Sequence, residues 1–142
     1  MRIAQIAPVI ERVPPKKYGG TERMVYALTE ELVRRGHEVT LFASGNSKTS
    51  AKLFPLFPTT LREMHVEDLY GCNWGRLLGA GLPYNYQGDF DIIHDHNEPL
   101  SVPIANLSQT PVVITLHGAF TPGSQQLYER LTNPHLISIS EA

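Results

Sequence analysis

One cysteine, Cys72, stands among 142 residues. An internal disulfide is therefore excluded, and this usage fits a reducing compartment, so a cytoplasmic location is expected. Long apolar runs are also missing. The opening segment, Met1 to Pro8, is apolar but short, and Pro8 and Glu11 interrupt it. It predicts a first strand and not a secretion signal. No stretch approaches the roughly 18 consecutive apolar residues of a membrane-spanning helix. Charge of one sign is scarce as well. Lys and Arg number 12 against 14 Asp and Glu, for a net charge of -2, so no basic field exists to attract nucleic acid or anionic lipid. What is present is ordinary for a globular chain: 42% apolar and 18% charged residues, in a length that suits one domain.

The pattern along the chain alternates strands with helices. Ile3 to Val9 is a compact apolar run that fits a strand buried on both faces. Ile10 to Gly20 holds Pro14, Pro15, Gly19 and Gly20 and is a loop. Thr21 can cap a helix whose apolar face is Met24, Val25, Leu28 and Leu32, with Glu30–Arg34 and Glu31–Arg35 as pairs on the wet side and Gly36 as the stop. Val39 to Ala43 follows as a second strand, completing one βαβ unit. The middle predicts less: a short strand at Ala51 to Phe57, a helix at Leu61 to Leu69, then a glycine-rich loop from Tyr70 to Gly88 with one helical turn near Trp74. Strands are expected again over Phe90 to His96, Pro111 to Leu116 and Leu136 to Ile139. Helices are expected over Pro99 to Leu107, with Asn97 as cap and Pro103 as a flaw, and over Gly123 to Leu131. Ser140 resembles a further helix cap. The sum is a doubly wound α/β domain with a mainly parallel sheet.

Ligands of such sheets bind beyond the carboxyl ends of the strands. There, Gly19-Gly20 precedes a helix start, where amides can approach a diphosphate or a sugar with no Cβ in the way; the alternative is a loop that needs positive φ. His117-Gly118 leaves the strand Val112 to Leu116, placed to donate to a sugar hydroxyl or act as an acid or base, or else to sit in a surface turn. His94 and His96 alternate and so share one face, with Asp91 and Asp95 on the other. Metal binding, ligand contact and packing are all open for the two histidines. Glu22 lies at the helix start and can see the crevice, whereas Glu30, about 12 Å up the axis, is expected to be solvated. Trp74, Tyr84 and Tyr86 can stack on a sugar or pack. Asn106-Leu107-Ser108 fits the glycosylation acceptor pattern but falls in an expected helix.

Met1 to Pro8, Tyr18-Gly19-Gly20-Thr21-Glu22-Arg23 and Leu32 to Phe42, then Asp91 to His96, Val113 to Gly118 and Ile137 to Glu141, resemble in order the N-terminal blocks of retaining GT-B glycosyltransferases of family four. The resemblance spans nearly the whole chain outside residues 50 to 88. It implies a Rossmann-like, acceptor-side domain of a two-domain enzyme, with a nucleoside-diphosphate sugar as donor substrate, no tightly bound cofactor and no resident metal. It implies that the amides of Gly19 and Gly20 lie near the donor diphosphate and that His117 contacts the transferred sugar and aids transfer. By the same resemblance His94, His96 and Glu98 are candidate contacts on the side of the sugar or other hydroxyl acceptor, and Trp74, in the unmatched stretch, is a further candidate by its aromatic ring. Asn97 stands where the family pattern puts an acid, with Glu98 one place later. The C-terminal donor-binding domain has no counterpart among these residues and is expected as a partner, so the chain alone should transfer little or nothing. Helix-start amides, Lys16 and Lys17 are the positive groups expected near a diphosphate.

Other function classes make different demands. A dinucleotide oxidoreductase wants Gly-x-Gly-x-x-Gly tight against strand one and an acid ending strand two, but strand two ends Phe42-Ala43-Ser44. A His-x-His metallohydrolase would retain stoichiometric metal. A stand-alone sugar- or nucleotide-binding module is the non-enzymatic alternative.

Overall fold

The computed structural model describes residues 1–65 and 74–139. Six parallel strands form one sheet in the order β3-β2-β1-β4-β5-β6. They are β1 (Arg2–Ile6), β2 (Glu38–Ser44), β3 (Lys52–Phe57), β4 (Ile92–Asp95), β5 (Val112–Leu116) and β6 (His135–Ser138). The helices are α1 (Gly20–Arg34), α2 (Leu61–Met64), α3 (Trp74–Gly81), α4 (Val102–Leu107) and α5 (Pro122–Tyr128), with a 3₁₀ segment at Leu82–Asp89. The chain winds outward from β1 to β3, returns to the other side of β1, and continues from β4 to β6. The topological switch therefore lies between β1 and β4.

Strand alternation divides the core into two layers. Ala4, Ile6, Phe42, Ile93 and Ile114 face one side, where Val102 and Ala105 of α4 and Tyr84 of the 3₁₀ segment cover them. Leu41, Ala43 and Ala7 face the other, against Val25 of α1 and Val13 of the loop after β1. Helices on both faces bear out the expected doubly wound, Rossmann-like architecture.

Several local expectations are corrected. The cap of α1 is Gly19 and not Thr21. Arg34 and Arg35 both bond Glu31, at 2.6 and 2.7 Å. Glu30, half-exposed, is more than a solvated residue: it accepts from Thr49 Oγ1 (2.6 Å), Ser50 Oγ (2.6 Å) and Ser50 N (3.0 Å), tying α1 to the β2–β3 loop. Helix α4 starts after Ser101, not at an Asn97 cap, and Pro103 sits in its first turn, where a missing N–H costs nothing. Asn106 Oδ1 accepts from the amides of Thr132 and Asn133, a tertiary role for the acceptor-like triplet.

The glycine-rich stretch is helical over Trp74–Gly81 and 3₁₀ over Leu82–Asp89, where a loop was expected. Its glycines are contact points. A Cβ on Gly79 would lie 2.7 Å from Val9 Cγ2, and one on Gly75 would lie 2.8 Å from Leu61 Cδ1. Close helix packing therefore explains residues that looked like turn formers. The helix expected to run to Leu69 is seen as Leu61–Met64. His65 caps it at φ 50°; residues 66 to 69, and the cap expected at Ser140, fall outside the described residues.

Candidate functional site

The carboxyl ends of β1, β4 and β5 open into a cleft of about 770 Å³ lined by Gly19, Gly20, Glu22, His96, Asn97, Glu98, His117 and Gly118, among others. It lies at the topological switch, as the strand-end rule requires. Segments nearly a hundred residues apart in sequence converge there because β1 and β4 are direct neighbours.

The two glycines have different reasons to be glycine. Gly19 sits at φ 142° with a buried backbone. A Cβ there would lie 2.8 Å from both Glu22 Oε2 and Pro15 Cβ, so this position is forced by the turn. Gly20 has nothing within 4 Å of its would-be Cβ. It leaves the start of a 15-residue helix open toward the cleft. Gly19 has no side chain to cap that start, and of the first amides only that of Glu22 meets its own carboxylate, which leaves partial positive charge facing the cleft. Glu22 is buried beside it, and burial pushes its carboxyl above the ordinary range.

Alternation brings Gln5, His94, His96, Thr115 and His117 to one face of the sheet. Gln5 and His94 are register partners, and the rings of His94 and His96 lie 4.3 Å apart. His96 is buried, with Nε2 2.9 Å from Gln5 Oε1 and Nδ1 3.1 Å from His117 Nε2. His94 bonds Thr115 Oγ1 through Nε2 at 2.7 Å. Burial pulls His94 down to about 4, with the neighbouring His117 adding to it. Burial holds His96 well below the ordinary imidazole value, with smaller contributions from His94 and His117. Burial also lowers His117, opposed by the Glu98 carboxylate. All three rings are thus neutral at pH 7.

The turn after β4 is fixed from the opposite face. Asp95 is fully buried and accepts from Tyr84 Oη (2.7 Å), Asn97 N (2.8 Å) and Asn97 Nδ2 (3.2 Å). Burial raises its carboxyl, against the lowering effect of those bonds. Glu98 then reaches across to β5, where its Oε1 accepts from the amides of His117 (3.1 Å) and Gly118 (2.9 Å). The backbone that carries His117 is held by an acid from the neighbouring turn.

The structure brings Gly19, Gly20, His96, Glu98 and His117 into one cleft and leaves two sequence candidates elsewhere. His94 is behind His96 and does not line the cleft, because its side chain points into the sheet-face network. Trp74 lines a separate hollow with Leu77, Leu78, Tyr84 and Ile104. Tyr84 packs in the core and Tyr86 lies against Phe42 and Phe54, so packing explains both rings. Arg62 and Arg76 line the cleft, where Arg62 is paired with Glu11 on the same wall, and Lys16 pairs with Glu63 at 3.6 Å. Sequence reasoning missed both arginines because Arg62 precedes and Arg76 lies within the glycine-rich stretch, where the pattern predicts little. It also missed Gln5, whose signal was present: one amide inside an otherwise apolar buried strand.

Residues 18–141 match the family model of Glycosyltransferase Family 4. No curated protein matches the chain. Among solved structures, the crystal structure of AviGT4, a glycosyltransferase involved in avilamycin A biosynthesis, is similar in fold at a TM-score of 0.51 and 21% identity. The match covers 82% of this chain and 32% of that one, so the present chain spans about a third of the length of that structure.

Proposed function

The chain belongs to glycosyltransferase family 4, and from that premise we propose that it is the N-terminal, acceptor-side domain of a GT-B enzyme transferring sugar from a nucleoside diphosphate to a hydroxyl acceptor with retention. The supporting observation is the convergence of Gly20 and His117 on one cleft. A cytoplasmic setting, where nucleotide sugars are available, belongs to the same proposal.

In this reading the open start of α1 binds the donor diphosphate through backbone amides and the helix dipole. Arg76 adds positive charge along the same wall, where Arg62 is paired with Glu11. Negative charge grows on the diphosphate as the bond from the anomeric carbon to phosphate oxygen breaks, and groups already aimed at it stabilise that change without reorganising. The acceptor oxygen bonds to the anomeric carbon from the same face, and its proton passes to the departing diphosphate. His117 contacts a hydroxyl of the transferred sugar and holds the ring in place. Glu98 keeps the His117 backbone in position from the neighbouring turn. The nucleoside pocket and most of the charge that clamps the diphosphate come from a second domain, so this chain alone transfers little or nothing.

A transfer assay with a nucleoside-diphosphate sugar, comparing this chain with a longer protein that contains it, tests the proposal. The longer protein should turn over and the chain should not; equal rates would contradict the reading. Loss of transfer on His117→Ala in the longer protein is the second expected result.

A further inference from the structure

We infer that Gln5 and His96 are positioning residues for His117, holding it as the Nε2–H tautomer so that the Nδ1 lone pair is what this ring offers to a hydroxyl in the cleft. The hydroxyl's identity rests on the proposed function; the tautomer does not.

The row admits little freedom. Gln5 Oε1 only accepts, so His96 Nε2, 2.9 Å away, carries a hydrogen. A neutral imidazole has one N–H, which makes His96 Nδ1 an acceptor. His117 Nε2, at 3.1 Å from that nitrogen, must then donate. Having used its single hydrogen, neutral His117 is bare at Nδ1, an atom with no protein partner among the described residues. At the other end, Gln5 Nε2 faces His94 Nδ1 at 3.5 Å, and His94 Nε2 donates to Thr115 Oγ1 at 2.7 Å. Donors and acceptors alternate without conflict from Thr115 to His117. Burial keeps the rings neutral, which a defined tautomer needs.

Turning the Gln5 amide over would reverse every bond in the row and move the His117 hydrogen to Nδ1. The orientation of one buried amide on β1 and the hydrogen-bonding sense of a histidine after β5 are therefore one variable. Gln5 is fully buried. A residue with no access to the cleft thus decides whether the cleft meets a donor or an acceptor. The consequence for binding is specific. At neutral pH His117 accepts from a sugar hydroxyl, where the sequence alone suggested that it could donate.

Long-range ¹H–¹⁵N spectra of the histidine rings at pH 7.5 read the tautomer directly. Wild type should show His117 protonated at Nε2 and bare at Nδ1. Gln5→Met keeps the side-chain length but removes the acceptor, and should convert His117 to a mixture of both tautomers. His96→Phe keeps the ring volume and removes the nitrogen that His117 donates to, and should do the same if Gln5→Met does not fold. An Nδ1–H tautomer in wild type would overturn the inference, as would an unchanged tautomer in a folded variant. If the lock is found but His117→Ala leaves transfer unaltered, the relay stands and the sugar contact falls.

Discussion

The sheet has a hollow at each rim, and the two differ in how their polar groups are held. The carboxyl-end cleft, about 770 Å³, is walled by buried or half-buried groups with defined partners, His96, Asn97 and Glu98, beside the buried Glu22. The amino-end hollow, about 560 Å³, is lined by Arg2, His37, Lys52 and Asp89 beside Val33 and Phe42. At its edge Arg2 pairs with Asp91 at 2.8 Å, and that pair is exposed, with side chains 53% and 40% accessible. The volumes are similar. Desolvated polar groups are costly unless fully bonded, so a structure that keeps several at one rim has a use for them there. Exposed pairs carry no such implication.

His117→Ala should break the upper rim most visibly. Transfer by a longer protein containing this domain should fall about 10²-fold, the order expected when a group that holds the reacting sugar in place is lost, while the fold is retained. Circular dichroism beside the assay separates the two. Gly19→Ala should cost about 2–3 kcal/mol in denaturant unfolding, because alanine at that positive φ is strained and its Cβ meets Pro15.

His94→Gln sharpens the comparison through pH. Folding lowers the ring from its ordinary 6.5 to about 4. The unfolded chain therefore binds a proton that the folded chain refuses, and wild type loses stability as pH falls through that window. Urea midpoints should show the variant gaining roughly 2 kcal/mol on wild type between pH 7 and pH 4, with no such drift above pH 7. Gly20→Ala should leave stability within about 0.5 kcal/mol, since its Cβ meets open space, yet weaken donor binding about tenfold, or 1.4 kcal/mol. Equal effects at Gly19 and Gly20 would show that the pair is only a turn. Smallest of all, Arg2→Ala at the lower rim should leave the unfolding midpoint within repeat error.

The same contrast explains what the sequence made legible. Strand exits are marked by residue type, so Gly19-Gly20 and His117-Gly118 stood out, and the βαβ opening followed from apolar spacing and from Gly36, which adopts φ 87°. Long-range partners leave no such mark. Glu30 has a natural helical partner in Arg34, yet it bonds Ser50, 20 residues on. Gly75 and Gly79 share their residue type with turn glycines, but their cause is a neighbour's side chain. His94 and His96 were correctly placed on one face. Which of them reaches the cleft depends on where β4 ends, and alternation alone does not fix that.

Amide ¹H–¹⁵N shifts of the chain during titration with a nucleoside-diphosphate sugar test the shared cleft most directly. Gly20, His117 and Gly118 should move together along one weak, saturable isotherm while Arg2, Val39 and Lys52 stay still. Movement confined to the lower rim, or saturation that leaves Gly20 and His117 unmoved, would contradict the account.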